Sequence, residues 1–127
     1  MSEIRTNTIS AANGTDPVTL TKQSAAKAYA RWSMSGTAAN VDSFNISSFT
    51  DIFTGICKQT LTSDMSDGNY TNVTTSGESD GGGNRLCGVN GSYSAPNASH
   101  THFALYNSSL SLSDVNYGAA SWLGDLA

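Results

Sequence analysis

Charge is scarce in this sequence: only 13% of its residues are Asp, Glu, Lys or Arg, and six Lys plus Arg stand against ten Asp plus Glu, for a net charge of −4. Six scattered cations make no basic stripe able to neutralise a phosphate backbone, so nucleic-acid binding is not expected. No apolar run approaches the roughly 18 residues that mark a membrane helix. Met1 to Asn7 lacks the basic and apolar regions of a signal peptide, so the expectation is synthesis in a cytosol without membrane insertion. The Asn-x-Ser/Thr matches, among them those at Asn45, Asn72 and Asn97, are discounted as acceptors for want of such a signal.

Cysteine and histidine are equally sparse, with two of each. Cys57 and Cys87 lack the His or Cys spacing of a zinc site. In a cytosolic product they read as small buried side chains, with one disulfide left open should their strands be neighbours. No Gly-x-Ser-x-Gly elbow accompanies the histidines, and the loop carboxylates Asp64, Asp67, Glu78 and Asp80 show no pairing of a raised-pKa acid with an ionised base. Gly81 to Gly83 is not followed by the Gly-Lys-Ser/Thr of a phosphate cradle and reads as a loop. Asp64, Asp67 and Asn69 look like a fragment of an oxygen-rich calcium loop, without its twelve-residue spacing or closing Glu. No enzyme and no cofactor is expected.

What is abundant is Ser, Thr, Asn and Gly. Ser and Asn compete for backbone hydrogen bonds and weaken helix interiors, Thr suits a pleated half-exposed strand, and Asn and Gly suit turns. At 127 residues the chain fits one core. The pattern predicts an all-β fold, an antiparallel β-sandwich of about seven strands near Ala28–Met34, Val41–Ser48, Gly55–Leu61, Tyr70–Thr75, Asn84–Val89, Thr101–Tyr106 and Tyr117–Leu123, separated by Gly- and Asn-rich loops.

Two segments are expected: residues 1–27 as an extended docking or oligomerisation segment, and residues 28–127 as the sandwich. The first segment turns Ala-rich at Thr21 to Lys27, and a short helical turn is predicted over Ser24 to Tyr29. Its main apolar side chains, Ile4, Ile9, Val18 and Leu20, are too few to offset about 1–2 kcal/mol of ordering per residue. The expectation is therefore that it packs on a partner copy or another protein, with a disordered leader as the alternative.

The order of several stretches carries a resemblance. Glu3-Ile4-Arg5-Thr6-Asn7-Thr8-Ile9, then Ala12-Asn13-Gly14-Thr15-Asp16-Pro17-Val18-Thr19-Leu20 and Gln23-Ser24-Ala25-Ala26-Lys27-Ala28, resemble the leader of small tail-fibre-like virion proteins of tailed bacteriophages. Asp42-Ser43-Phe44-Asn45-Ile46-Ser47-Ser48-Phe49-Thr50-Asp51, Met65-Ser66-Asp67-Gly68-Asn69-Tyr70, Asp114-Val115-Asn116-Tyr117 and the closing Gly124-Asp125-Leu126-Ala127 resemble further segments of that family, in the same order. The chain departs from the family at Tyr29-Ala30-Arg31-Trp32 and Ile56-Cys57-Lys58-Gln59.

The resemblance implies a non-enzymatic virion part, made in the host cytoplasm and usually homotrimeric, that docks on other virion proteins and meets a host surface. A capsid decoration or head-fibre protein is the alternative; a virion-attached enzyme acting on host glycans would need paired acids at a groove. Under the fibre reading, Tyr70, Tyr93 and Tyr106 are candidates to stack on sugar rings of a host-surface glycan, against plain packing at a core edge. His100 and His102 alternate onto one face of a predicted strand. Two imidazoles do not close a metal site, but three pairs meeting on a threefold axis supply six; otherwise the two are surface histidines.

Overall fold

The computed structural model describes residues 26–77 and 85–126. Eight strands follow one another: β1 (Ala28–Ser33), β2 (Ala39–Phe44), β3 (Ile46–Phe53), β4 (Ile56–Leu61), β5 (Thr71–Gly77), β6 (Leu86–Val89), β7 (His100–Tyr106) and β8 (Tyr117–Leu123). They form two four-stranded sheets, ordered β2-β1-β8-β5 and β3-β4-β7-β6, with antiparallel neighbours throughout. The fold is the all-β sandwich that the strand-length alternation predicts.

The count differs at one place. The stretch Val41–Ser48, expected as a single strand, is two strands in different sheets, and the second runs on to Phe53. Asn45 is the corner. Its φ of 57° lies in the left-handed region, which Asn tolerates better than most residues. Its amide is tied on both sides: Nδ2 donates to Lys27 O at 3.2 Å and to Ser63 O at 3.1 Å, while Oδ1 accepts from Ser63 N at 2.7 Å.

The core lies between the sheets and is built by period-2 alternation. Ala28, Ala30 and Trp32 of β1, Cys57 of β4, Phe103 and Leu105 of β7, and Ala120 and Trp122 of β8 are buried in one cluster. Phe103 sits between the two indoles, 5.3 Å from Trp32 and 5.5 Å from Trp122, the latter edge to face at 83°. Such tilted and edge-on pairs are the favoured aromatic arrangements. Small residues on the inner face of the first sheet make room for the indoles: a Cβ on Gly118 would fall inside the Trp32 ring system.

Buried polar groups join the layers. Trp122 Nε1 donates to Thr101 Oγ1 at 2.9 Å, and Thr101 Oγ1 also meets the Tyr70 hydroxyl at 2.6 Å. Beside β7, Gly55 (φ 73°) makes the β3–β4 turn, accepts from Leu105 N at 2.8 Å and donates its N–H to Asp114 Oδ1 at 2.8 Å. A side chain there would meet the backbone of Leu105, Leu112 and Ser113.

Ile4, Ile9, Val18 and Leu20, with the predicted helical turn as far as residue 25, lie outside the described residues. Ala28 and Tyr29, the end of that predicted turn, belong to β1.

Candidate functional site

The outer face of the second sheet holds the His-x-His pair. Thr60 pairs with His100 and Lys58 with His102 between β4 and β7, so alternation sends both imidazoles to the same side, as predicted. Their rings stand edge to face, 5.2 Å apart. Tyr93, from the loop between β6 and β7, lies 4.8 Å from the His102 ring and meets Phe53 at 5.9 Å on its other side. Beneath Tyr93, His102 is only 5% exposed. On the single chain His102 is thus covered by Tyr93, while His100 is part-exposed.

The His100 bonds can be followed proton by proton. Asn97 Oδ1 accepts from the backbone N–H groups of Ser99 and His100, at 2.9 and 3.1 Å, which fixes the orientation of that amide. Asn97 Nδ2 then faces His100 Nε2 at 3.1 Å with only hydrogens to offer, so Nε2 accepts and the proton sits on Nδ1. From there it is donated to Ser99 Oγ at 3.2 Å, and Ser99 Oγ donates to Asn97 Oδ1 at 3.0 Å. Both His100 nitrogens are engaged in the neutral ring.

Burial, the neighbouring His100 and Lys58 all push the His102 imidazole below its ordinary value, and burial with Lys58 does the same to His100. His102 Nδ1 is buried with no hydrogen-bond partner. Among the described residues no group of three or more His, Cys, Asp or Glu side chains is placed to hold a metal ion. Asp67 of the calcium-like fragment is spent on a turn, accepting from Asn69 N at 2.7 Å and Asn69 Nδ2 at 3.0 Å, and these bonds hold its carboxyl below the usual range.

The three candidate tyrosines part company. Tyr70 is half-buried, and its hydroxyl reaches Asn97 O at 2.9 Å, His100 O at 3.0 Å and Thr101 Oγ1, pinning the start of β7 to the start of β5. Burial raises its pKa. That is the packing arrangement rather than a displayed ring. Tyr106 ends β7, half-buried opposite Leu86 and Leu112. Only Tyr93 is displayed, at 50% exposure.

Cys57 and Cys87 are both unbonded. The strand order puts β7 between β4 and β6, with Cys57 opposite Phe103 and Cys87 opposite Leu105, so their backbones stand more than two strand spacings, roughly 9.5 Å, apart. A disulfide requires Cα atoms within about 7 Å.

The sequence reading overlooked the outer face of the first sheet. Phe44 stacks on Tyr29 at 6.2 Å, and Val41, Val73 and Tyr117 are further exposed apolar side chains of that sheet, with Phe44 at 56% and Val73 at 58%. Arg31 lies over the Tyr117 ring, its Cζ 5.3 Å from the centroid. Beside them is a hollow of about 290 Å³ over Gly77 and Ala119. The available signal was the alternation Tyr29, Arg31, Ser33 against a buried Ala30, Trp32, Met34, which marks an outward face but not what lines it.

Among the described residues no helix is long and apolar enough to cross a membrane. No protein-family model, curated protein or solved structure matches this chain.

Proposed function

We propose that this chain is a non-enzymatic structural protein of a bacteriophage particle, a component of a tail fibre or similar appendage that acts as a homotrimer. Residues 1–27 dock on other virion proteins or intertwine with the same segment of sister copies, and the sandwich projects towards a host-surface glycan. The ordered resemblance of segments from Glu3 to Ala127 supports the family reading. The observation that carries the role is the outer face of the β2-β1-β8-β5 sheet, where Phe44, Tyr29 and Val73 stand exposed in one cross-strand row and Tyr117 lines an open hollow on the same face. Apolar groups gathered on one face mark a surface made to meet another.

Light scattering on the purified full-length protein, with and without a strong chelator, tests the assembly. A trimer is expected, and one that loosens with chelator would restore a shared metal at His100 and His102. A stable monomer, together with binding to capsids that raises their resistance to heat, would replace the fibre role by capsid decoration. Antibody labelling of purified particles tests the virion role directly: no signal on any particle removes it.

A further inference from the structure

The hollow on the first sheet has a definite construction. Cross-strand pairing sets Asp42, Arg31, Ala119 and Thr75 side by side across β2, β1, β8 and β5, and sets Tyr117 opposite Gly77 in the adjoining row. Ala119 and Gly77 are too small to fill the space that their neighbours enclose. A Cβ built on Gly77 meets nothing within 4 Å. The result is a shallow basin with a cation and a phenol on one side and the Thr75 hydroxyl on the other.

The cation in that basin is uncommitted. Among the described residues the Arg31 guanidinium has one partner, the Tyr117 ring. Asp42, its neighbour across β1 and β2, forms no ion pair with it and accepts a long hydrogen bond, 3.5 Å, from the Tyr29 hydroxyl. A planar guanidinium presents a fork of donors that matches a carboxylate in bidentate fashion, and an aromatic ring behind it holds the fork in place. About 290 Å³ lies at the small end of ligand sites, suited to a single ring rather than a drug-sized molecule.

We infer that this hollow binds the carboxylate of an acidic sugar residue, a uronic acid within a host-surface polysaccharide, with Arg31 taking the carboxylate, Tyr117 flanking the sugar ring and Thr75 bonding a ring hydroxyl. The ligand class rests on the proposed host-contact role; the site itself does not. A neutral sugar gives the guanidinium neither an opposite charge nor a bidentate partner, and a bare carboxylate leaves the aromatic flank and the hydroxyl unused.

The test is a titration of the isotope-labelled full-length protein by NMR with sodium glucuronate, glucose and acetate. Glucuronate is expected to shift the Arg31, Thr75, Tyr117 and Ala119 resonances with saturation, and the other two to bind about ten-fold more weakly or not at all. Arg31→Ala should weaken glucuronate about ten-fold or more, and Arg31→Lys, which keeps the charge without the fork, should recover only part. Gly77→Val fills the basin from a strand position that has room for it and should abolish binding while the rest of the spectrum is unchanged.

Glucose binding as well as glucuronate, acetate binding as well as glucuronate, or glucuronate binding unaffected by Gly77→Val each overturns the inference. So does a protein whose hollow is closed by self-association, seen as a mass that falls on Arg31→Ala while glucuronate has no effect. Absence of the protein from particles with glucuronate still bound removes the virion role and leaves the site; labelled particles with no glucuronate binding do the reverse.

Discussion

Asn40 and Gln59 exchange two amide hydrogen bonds across the gap between the sheets: Asn40 Nδ2 donates to Gln59 Oε1 at 3.1 Å, and Gln59 Nε2 donates to Asn40 Oδ1 at 2.8 Å. Gln59 is wholly buried on β4 and Asn40 half-buried on the edge strand β2. A closed pair of this kind satisfies two side chains at once and fastens a strand that contributes little else to the core. Asn40→Ala leaves the Gln59 amide buried and unpaired, at a cost of about 1–3 kcal/mol. Replacing both by Leu should cost less than Asn40→Ala alone. Urea denaturation of the parent and the two variants checks it; equal loss in the single and double variants would deny the pair its role.

Gly118 is required by Trp32 rather than by its own backbone. Gly118→Ala places a methyl where the indole sits, and overpacking of a close-fitted core costs about 1–3 kcal/mol. The loss of stability should come with a changed Trp fluorescence in the folded state. A variant as stable as the parent would mean that the indole has another rotamer within reach.

Asn45→Ala should destabilise by roughly 1–3 kcal/mol, since it removes the bonds to Lys27 and Ser63 and puts a Cβ without compensation at a positive φ. Asn45→Gly relieves the backbone and not the bonds, so it should fall between the two. If Gly restores full stability, the side-chain bonds contribute nothing net.

The histidine pair makes stability depend on pH. Burial first, and then the neighbouring cations, hold His102 below its ordinary value of 6.5 in the fold, so the unfolded chain takes up the proton first as pH falls. Stability is therefore full above that ordinary value, declines below it, and levels off once the folded-state value is passed. Melting temperatures between roughly pH 7 and pH 5 should fall in the parent and fall less in His102→Gln. Among the described residues the groups facing the ring are His100, Lys58 and Tyr93, with no carboxylate among them. Identical slopes in parent and variant would assign the dependence elsewhere.

Both thiols should resist modification in the folded protein. Burial pushes the Cys87 thiol up to about 12 and Cys57 higher still, and the thiolate is the reactive form. A disulfide-exchange reagent should react with two thiols per chain only after denaturant is added. Rapid reaction of either in the native protein would contradict the burial.

Much of the sandwich was legible because a strand announces itself locally. Alternation and turn residues put β1, β4, β7 and β8 within about a residue of their observed positions, and the same alternation put His100 and His102 on one face. The run Val41–Ser48 misled because its alternation passes through Asn45 without a break. What bends the chain there is the pair of anchors at Lys27 and Ser63, each 18 residues away.

By itself the sequence determined the fold class, the approximate strands and the faces on which their side chains lie, since a period of two and the turn preferences of Gly and Asn act between near neighbours. Only the tertiary structure decided that β7 separates the two cysteines, that Tyr93 covers His102, that the Tyr70 hydroxyl is consumed by β7, and that Arg31, Tyr117 and Gly77 share one hollow. Each of these joins residues brought together by strand pairing or loop packing across the sandwich, and such pairing is selected by the whole core rather than by any segment of the chain.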